Sequence, residues 1–219
     1  MKFSVSVFVA ALALVFWNGS RVSAADGHDI KSVNGSVNGT AGETYGELSA
    51  VNGNVRVGRG TTADEAKTVN GGITVEDEAK LGEVSTVNGS LRIGEGVTIE
   101  RTASTVNGHV ALGKRTRVKG DVSTVSGEIE INGAEVGGKL TTRNGDIDLT
   151  DGARVLGGIL VKKNNVNSWF SGDKSDPPTV HICSTCVVEG ELRFERPVEL
   201  RVDQGAKIGK VIGDSVTRR

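Results

Sequence analysis

One short phrase returns along this chain at nearly fixed spacing, and that recurrence restricts the fold more than any other feature. Ser85-Thr86-Val87-Asn88-Gly89, Ser104-Thr105-Val106-Asn107-Gly108 and Ser123-Thr124-Val125-Ser126-Gly127 are its clearest copies. Looser ones lie at Ser32-Val33-Asn34-Gly35, Ala50-Val51-Asn52-Gly53, Thr68-Val69-Asn70-Gly71 and Thr142-Arg143-Asn144-Gly145. The column Asn34, Asn52, Asn70, Asn88, Asn107 and Asn144, with Ser126 filling one place, advances by 18 or 19 residues per step. A unit this short cannot bury a hydrophobic face alone, so neighbouring units must stack and share one continuous core.

After each Asn-Gly, apolar residues fall at alternate positions: Val55 and Val57, Ile73 and Val75, Leu91 and Ile93, Val110 and Leu112, Ile129 and Ile131, Ile147 and Leu149. Period two is the signature of a strand with one face inside. Arg56, Thr74, Arg92, Ala111, Glu130 and Asp148 lie between them and form the outward set. A second apolar column runs through Leu81, Ile99, Val118, Val136 and Val155, and a third through Val84, Ala103, Val122, Leu140 and Ile159. Three inward segments per coil predict an all-β, single-stranded parallel β-helix of roughly triangular section. Helix is excluded by the period, by the β-branched inward columns and by the Asn-Gly, once Ser-Gly, that interrupts the units. Some nine coils rising about 4.8 Å each would make a rod of roughly 40 Å. Aromatics are only 4% of the chain, which suits a narrow interior filled by Val, Ile, Leu and Ala.

Parallel, in-register pairing places like residues directly above one another. Stacked asparagines can then hydrogen-bond along the axis as a structural ladder. Thr68, Thr86, Thr105, Thr124 and Thr142 form a second polar column two residues before the asparagines. The matching parity places both columns on one outer face, an array that could bind a glycan or another extended polymer.

Lys2, the apolar run Phe3 to Trp17 and the small residues up to Ala24 read as a secretory signal over residues 1–24. The expectation is a periplasmic or secreted protein with no stable membrane anchor after cleavage. Without Lys2 and Arg21, the 26 basic residues become 24 against 27 acidic ones, a balance that offers no cationic field for nucleic acid. The solenoid repeats are expected over 25–161, an inserted loop over 162–178, terminal coils and cap over 179–212, and a flexible tail over 213–219. Trp169, Phe170 and Phe194 are large enough to plug an open end of the stack.

Cys183 and Cys186 are the only cysteines, and in an exported chain a disulfide is the default expectation for them. Their spacing occurs in thiol redox enzymes, but here strand-like sequence lies on both sides, with no helix to stabilise a thiolate. A zinc site would need ligands beyond this cysteine pair, and of His28, His109 and His181 only His181, two residues before Cys183, lies beside it in sequence, which makes a partial site short of four ligands. His109 sits in a polar, variable column and reads as a surface residue. Asp64, Glu65, Glu76, Asp77, Glu78, Asp146, Asp148 and Asp151 occupy differing coil positions and read as a solvated face. No acid, base or nucleophile is paired by the repeat, so no catalytic residue, metal or cofactor is expected.

The coils from about Ser49 to Ile159, with phrases such as Gly94-Glu95-Gly96-Val97-Thr98-Ile99 and Val118-Lys119-Gly120-Asp121-Val122, resemble the bactofilin-like polymer-forming proteins of bacteria. The Thr-Val-Asn-Gly repeats and the ending Val188-Glu189-Gly190-Glu191-Leu192-Arg193-Phe194 resemble exported relatives of that group. The resemblance implies a right-handed triangular β-helix, no cofactor, and self-association end to end into filaments. The leader departs from bactofilins proper, which work in the cytoplasm. Together these readings predict an exported, non-enzymatic structural solenoid that self-assembles as a scaffold of the cell envelope, with itself and an envelope polymer or protein as partners. The alternative is a binding module acting through its threonine and asparagine columns.

Overall fold

A computed structural model of the chain describes residues 27–163, 177–213 and 216–218. The leader over 1–24, Trp169 and Phe170 lie outside the described residues.

The alternating segments after each Asn-Gly form strands, because their β-branched and aliphatic residues fit a pleated surface with one face buried. Val55–Val57, Ile73–Val75, Leu91–Ile93, Val110–Leu112, Ile129–Asn132 and Ile147–Thr150 belong to a ten-stranded parallel sheet running from Val37–Gly39 to Val216–Arg218. This is wall 1, with one strand per coil. Leu91 pairs with Ile73 below and Val110 above, the register that the repeat dictates. The described residues contain only strands and turns, so the fold is an all-β parallel solenoid of ten coils, spaced mostly 18 or 19 residues apart.

From Leu91 onward two more walls complete each coil. Wall 2 begins with Thr98–Ile99, Arg117–Val118 and Glu135–Val136, and wall 3 with Ala103–Ser104, Val122–Ser123 and Leu140–Thr142. Below that level the two are one. Thr44–Asn52, Thr62–Asn70 and Lys80–Asn88 are continuous strands of nine residues each. The sheet forks at Lys80–Asn88, where Leu81 pairs with Ile99 of wall 2 and Val84 with Ala103 of wall 3.

One added residue makes the fork. Leu81 and Val84 are separated by Gly82-Glu83, whereas Ile99 and Ala103 are separated by Glu100-Arg101-Thr102. The longer link gives the chain room for a corner and accounts for the 19-residue step from Asn88 to Asn107. Arg101 braces this corner by donating to the Asp64 carbonyl at 3.2 Å and lying 3.5 Å from the Glu83 carboxylate.

All three predicted inward columns are buried in one continuous core. Each Leu, Ile or Val buried there contributes roughly 1.5–3 kcal/mol, so stability is spread along the axis. After Val161 the stack is next continued at Thr179, and Ile147–Thr150 pairs directly with Thr179–Ile182.

Two expectations are corrected here. Phe194 does not plug an end: it is buried in an inward column directly above Val161, with another coil beyond it. Within the predicted tail, Val216–Arg218 is a strand of the stack, paired in register with Val198 to Leu200. An in-register strand gains ladder hydrogen bonds wherever the preceding coil leaves an open edge.

Candidate functional surface

The repeated phrase has a separate task for each residue. Asn52 Nδ2 donates to Asn34 Oδ1 at 3.1 Å, Asn70 to Asn52 at 2.9 Å, Asn88 to Asn70 at 3.0 Å and Asn107 to Asn88 at 3.0 Å. This exposed ladder of amides is interrupted by Ser126. Above the interruption, Asn144 Oδ1 instead accepts from Arg196 at 2.7 Å. The glycine after each asparagine is required by close stacking. A Cβ on Gly71, Gly89 or Gly108 would lie 2.0–2.1 Å from the carbonyl oxygen of the glycine one coil below, nearer than any side chain can approach.

The threonine column does not share the asparagine face, which overturns the expected binding surface. Thr68, Thr86, Thr105, Thr124 and Thr142 are buried. Ala50 precedes them in the column and Val161 and Phe194 follow them, all buried inward residues. Thr68, Thr86, Thr105 and Thr124 donate their hydroxyls to the carbonyls of Gly53, Gly71, Gly89 and Gly108 at 2.8, 2.8, 2.9 and 3.1 Å. Thr142 Oγ1 has no hydrogen-bond partner. The parity argument fails because the asparagine stands at a corner. A residue at the convex vertex of a closed coil faces out whatever the alternation of the strand before it.

The residue between them therefore faces outward as well. Val33, Val51, Val69, Val87, Val106 and Val125 form an outer column running up the corner beside the asparagines, until Arg143 takes the place. Val33 is 66% exposed. The other five are half-buried, and none belongs to the core or to the partly buried residues packed on it. Sequence reasoning missed this ridge. Its signal was an aliphatic residue flanked on both sides by columns assigned to polar roles.

Several of the remaining polar residues form local pairs. Glu76 and Asp77 pair with Arg56 and Arg59, Asp151 with Lys114, and Glu65 with Lys67; Asp146 accepts from the Thr179 amide. Glu47 lies between Lys31 at 2.6 Å and Lys67 at 2.7 Å. Burial opposes ionisation of Glu47, but the two lysine hydrogen bonds outweigh it and hold the carboxyl below its ordinary value. His109 is exposed, with Glu128 its nearest carboxylate. Among the described residues, no three His, Cys, Asp or Glu side chains are grouped as a metal ion would require, and no helix is long and apolar enough to cross a membrane.

Cys183 and Cys186 close the corner between walls 1 and 2 in the eighth coil, with their sulfurs joined at 2.16 Å. The Cys186 amide donates to the Cys183 carbonyl, as Thr61 does to Gly58, Thr116 to Gly113 and Ala153 to Thr150. The disulfide adds a covalent link to a turn that other coils make by hydrogen bonding alone. Just before it, His181 Nδ1 lies 2.7 Å from Asp148 of the coil below and Nε2 lies 3.5 Å from Asp203 of the coil above. The Asp148 hydrogen bond is the main cause that raises the histidine's pKa, against partial burial.

Both ends of the stack are strand edges. Among the described residues, His28–Asn34 and Val37–Gly39 at one end, and Lys207–Ile208, Val211–Ile212 and Val216–Arg218 at the other, each pair on one side only. An unpaired parallel edge is a template for a further strand.

Residues 110–211, somewhat less than half of the chain, match the model of the Bactofilin family, described as polymer-forming cytoskeletal. The matched segment spans coils five to nine, from Val110–Leu112 to Val211–Ile212. Together the match and the solenoid support a bactofilin-like fold, and the family's description is structural rather than enzymatic. No curated protein and no solved structure matches the chain.

Proposed function

We propose that this chain is an exported structural protein that polymerises end to end, with the terminal coil of one copy continuing the stack of the next. The observation that carries the reading is the pair of open parallel edges in all walls of the solenoid, supported by the match of coils five to nine to a polymer-forming family. A docking copy would form the backbone ladder that already joins each coil to its neighbour, so assembly needs no new kind of contact. Export rests on the leader-like residues 1–24. Outside the cytoplasm such a filament would serve as a rigid scaffold of the cell envelope.

Electron microscopy of the protein from residue 25 onward, with sedimentation over a concentration series, tests the assembly. Filaments, or particles in multiples of a rod about 45 Å long, are expected. Single rods at every concentration would overturn it. Cell fractionation with N-terminal sequencing tests export independently, and an intact leader on cytoplasmic protein would exclude it.

A further inference from the structure

The geometry points to a lateral docking face for a second copy of this chain, formed by the outer valine ridge Val33, Val51, Val69, Val87, Val106 and Val125. Six apolar residues occupy one outward column over six coils, while the wall 1 outer column is mostly charged or polar, through Arg56, Thr74, Arg92 and Glu130. The columns on either side of the ridge are nearly uncharged. One is the asparagine ladder; the other runs Lys31, Ser49, Lys67, Ser85, Ser104 and Ser123, and its two cations are both paired, Lys31 to Asp29 and Glu47 and Lys67 to Glu47 and Glu65. Nothing on the strip repels a like surface.

Spacing selects the occupant. The ridge repeats at the coil rise of about 4.8 Å, and a dry interface of interdigitated side chains needs a partner with the same repeat. A second copy supplies both that spacing and the same side chains. A polysaccharide of similar repeat would find no hydrogen-bond donor or acceptor on the valines themselves.

Area sets when the contact forms. Five steps give a ridge about 24 Å long, and with its flanks it covers on the order of 300 Å² per copy, well below the roughly 800 Å² per partner of a stable interface. One pair of ridges therefore associates only fleetingly. Many pairs held in line along two filaments add their contributions. Paired or ribbon-like filaments are the consequence, with end-to-end growth preceding lateral pairing.

Two measurements separate this from the end-to-end reading, on which only the ribbon width depends. Val87→Cys, near the middle of the ridge, and Arg92→Cys on wall 1 are each treated with a short bis-maleimide at high protein concentration. Cross-linked dimer is expected several-fold faster from Val87→Cys; equal rates overturn the proposal whether or not filaments form. In the microscope, the Val51→Thr, Val69→Thr, Val87→Thr variant keeps the β-branched shape, and unchanged circular dichroism would establish its fold. It is expected to give single-width filaments of normal length. Retained pairing, or loss only of binding to an insoluble polysaccharide, would assign the ridge elsewhere.

Discussion

Replacing Thr86 and Thr142 by valine, one at a time, exchanges a buried hydroxyl for a methyl in two places where the hydroxyl has opposite standing. At Thr142 the side chain is fully buried and Oγ1 has no hydrogen-bond partner. The native residue therefore bears a desolvation cost of about 1–3 kcal/mol, and a buried methyl would add about 0.8 kcal/mol. Val161 occupies the same column one coil above, so the shape is already accepted there. Allowing for imperfect packing, Thr142→Val should stabilise by about 1–2 kcal/mol. At Thr86 the same exchange breaks the 2.8 Å bond to the Gly71 carbonyl and leaves that oxygen unpaired at a close-packed corner. The cost of about 1–3 kcal/mol there exceeds the methyl's gain, for a net loss near 1 kcal/mol. Urea unfolding followed by circular dichroism, with midpoints compared at a common slope, reads both changes. A shift of 1 kcal/mol corresponds to about 2–4 °C in Tm for a chain of this size. Shifts of the same sign and similar size at the two positions would refute the division of the column into bonded and unbonded hydroxyls.

Gly89→Ala should destabilise by about 3 kcal/mol or more, because its Cβ would lie 2.0 Å from the Gly71 carbonyl oxygen; a thermal melt within 1 °C or so of the native chain's would show that the corner is more open than described. His181 carries a raised pKa relative to its ordinary 6.5, so its contribution to stability is complete below that ordinary value and is lost as pH rises through the higher folded one. The urea midpoint should fall from mildly acidic to mildly basic pH more steeply in the native chain than in His181→Gln, and parallel pH profiles would dismiss the Asp148–His181 contact as a source of stability.

The inward columns could be read from the sequence because every member is apolar and the spacing is nearly constant; Leu81, Ile99, Val118 and Val136 needed only alignment. The threonines misled because a polar residue in a polar phrase was assigned outward by strand parity, and parity does not survive a corner. The correction was visible at the ends of the run, where Ala50, Val161 and Phe194 hold the same register. The 19-residue step was also visible, but its effect depends on where the added residue falls. Only pairing of Leu81 with Ile99 and Val84 with Ala103 shows that Glu100-Arg101-Thr102 forks one wall into two. The outer valines escaped notice because the threonines beside them had been given the surface.

The Asn-Gly corner also bears on how the molecule ages. In a loose chain this dipeptide is prone to deamidation: the glycine nitrogen attacks the side-chain amide carbon, ammonia leaves, and the resulting succinimide opens to aspartate or isoaspartate. In the stack, the Gly35, Gly53, Gly71 and Gly89 amides each donate to the asparagine carbonyl of the next coil at 3.0 Å, while the asparagine side chains are held in their own ladder. Nucleophile and target are thus both engaged elsewhere, and folding protects the covalent structure of the chain. Time spent unfolded would convert amides to carboxylates, whose like charges one coil rise apart oppose restacking. A copy that has lingered unfolded would carry a chemical record of that time, and the same record would count against its return to the stack.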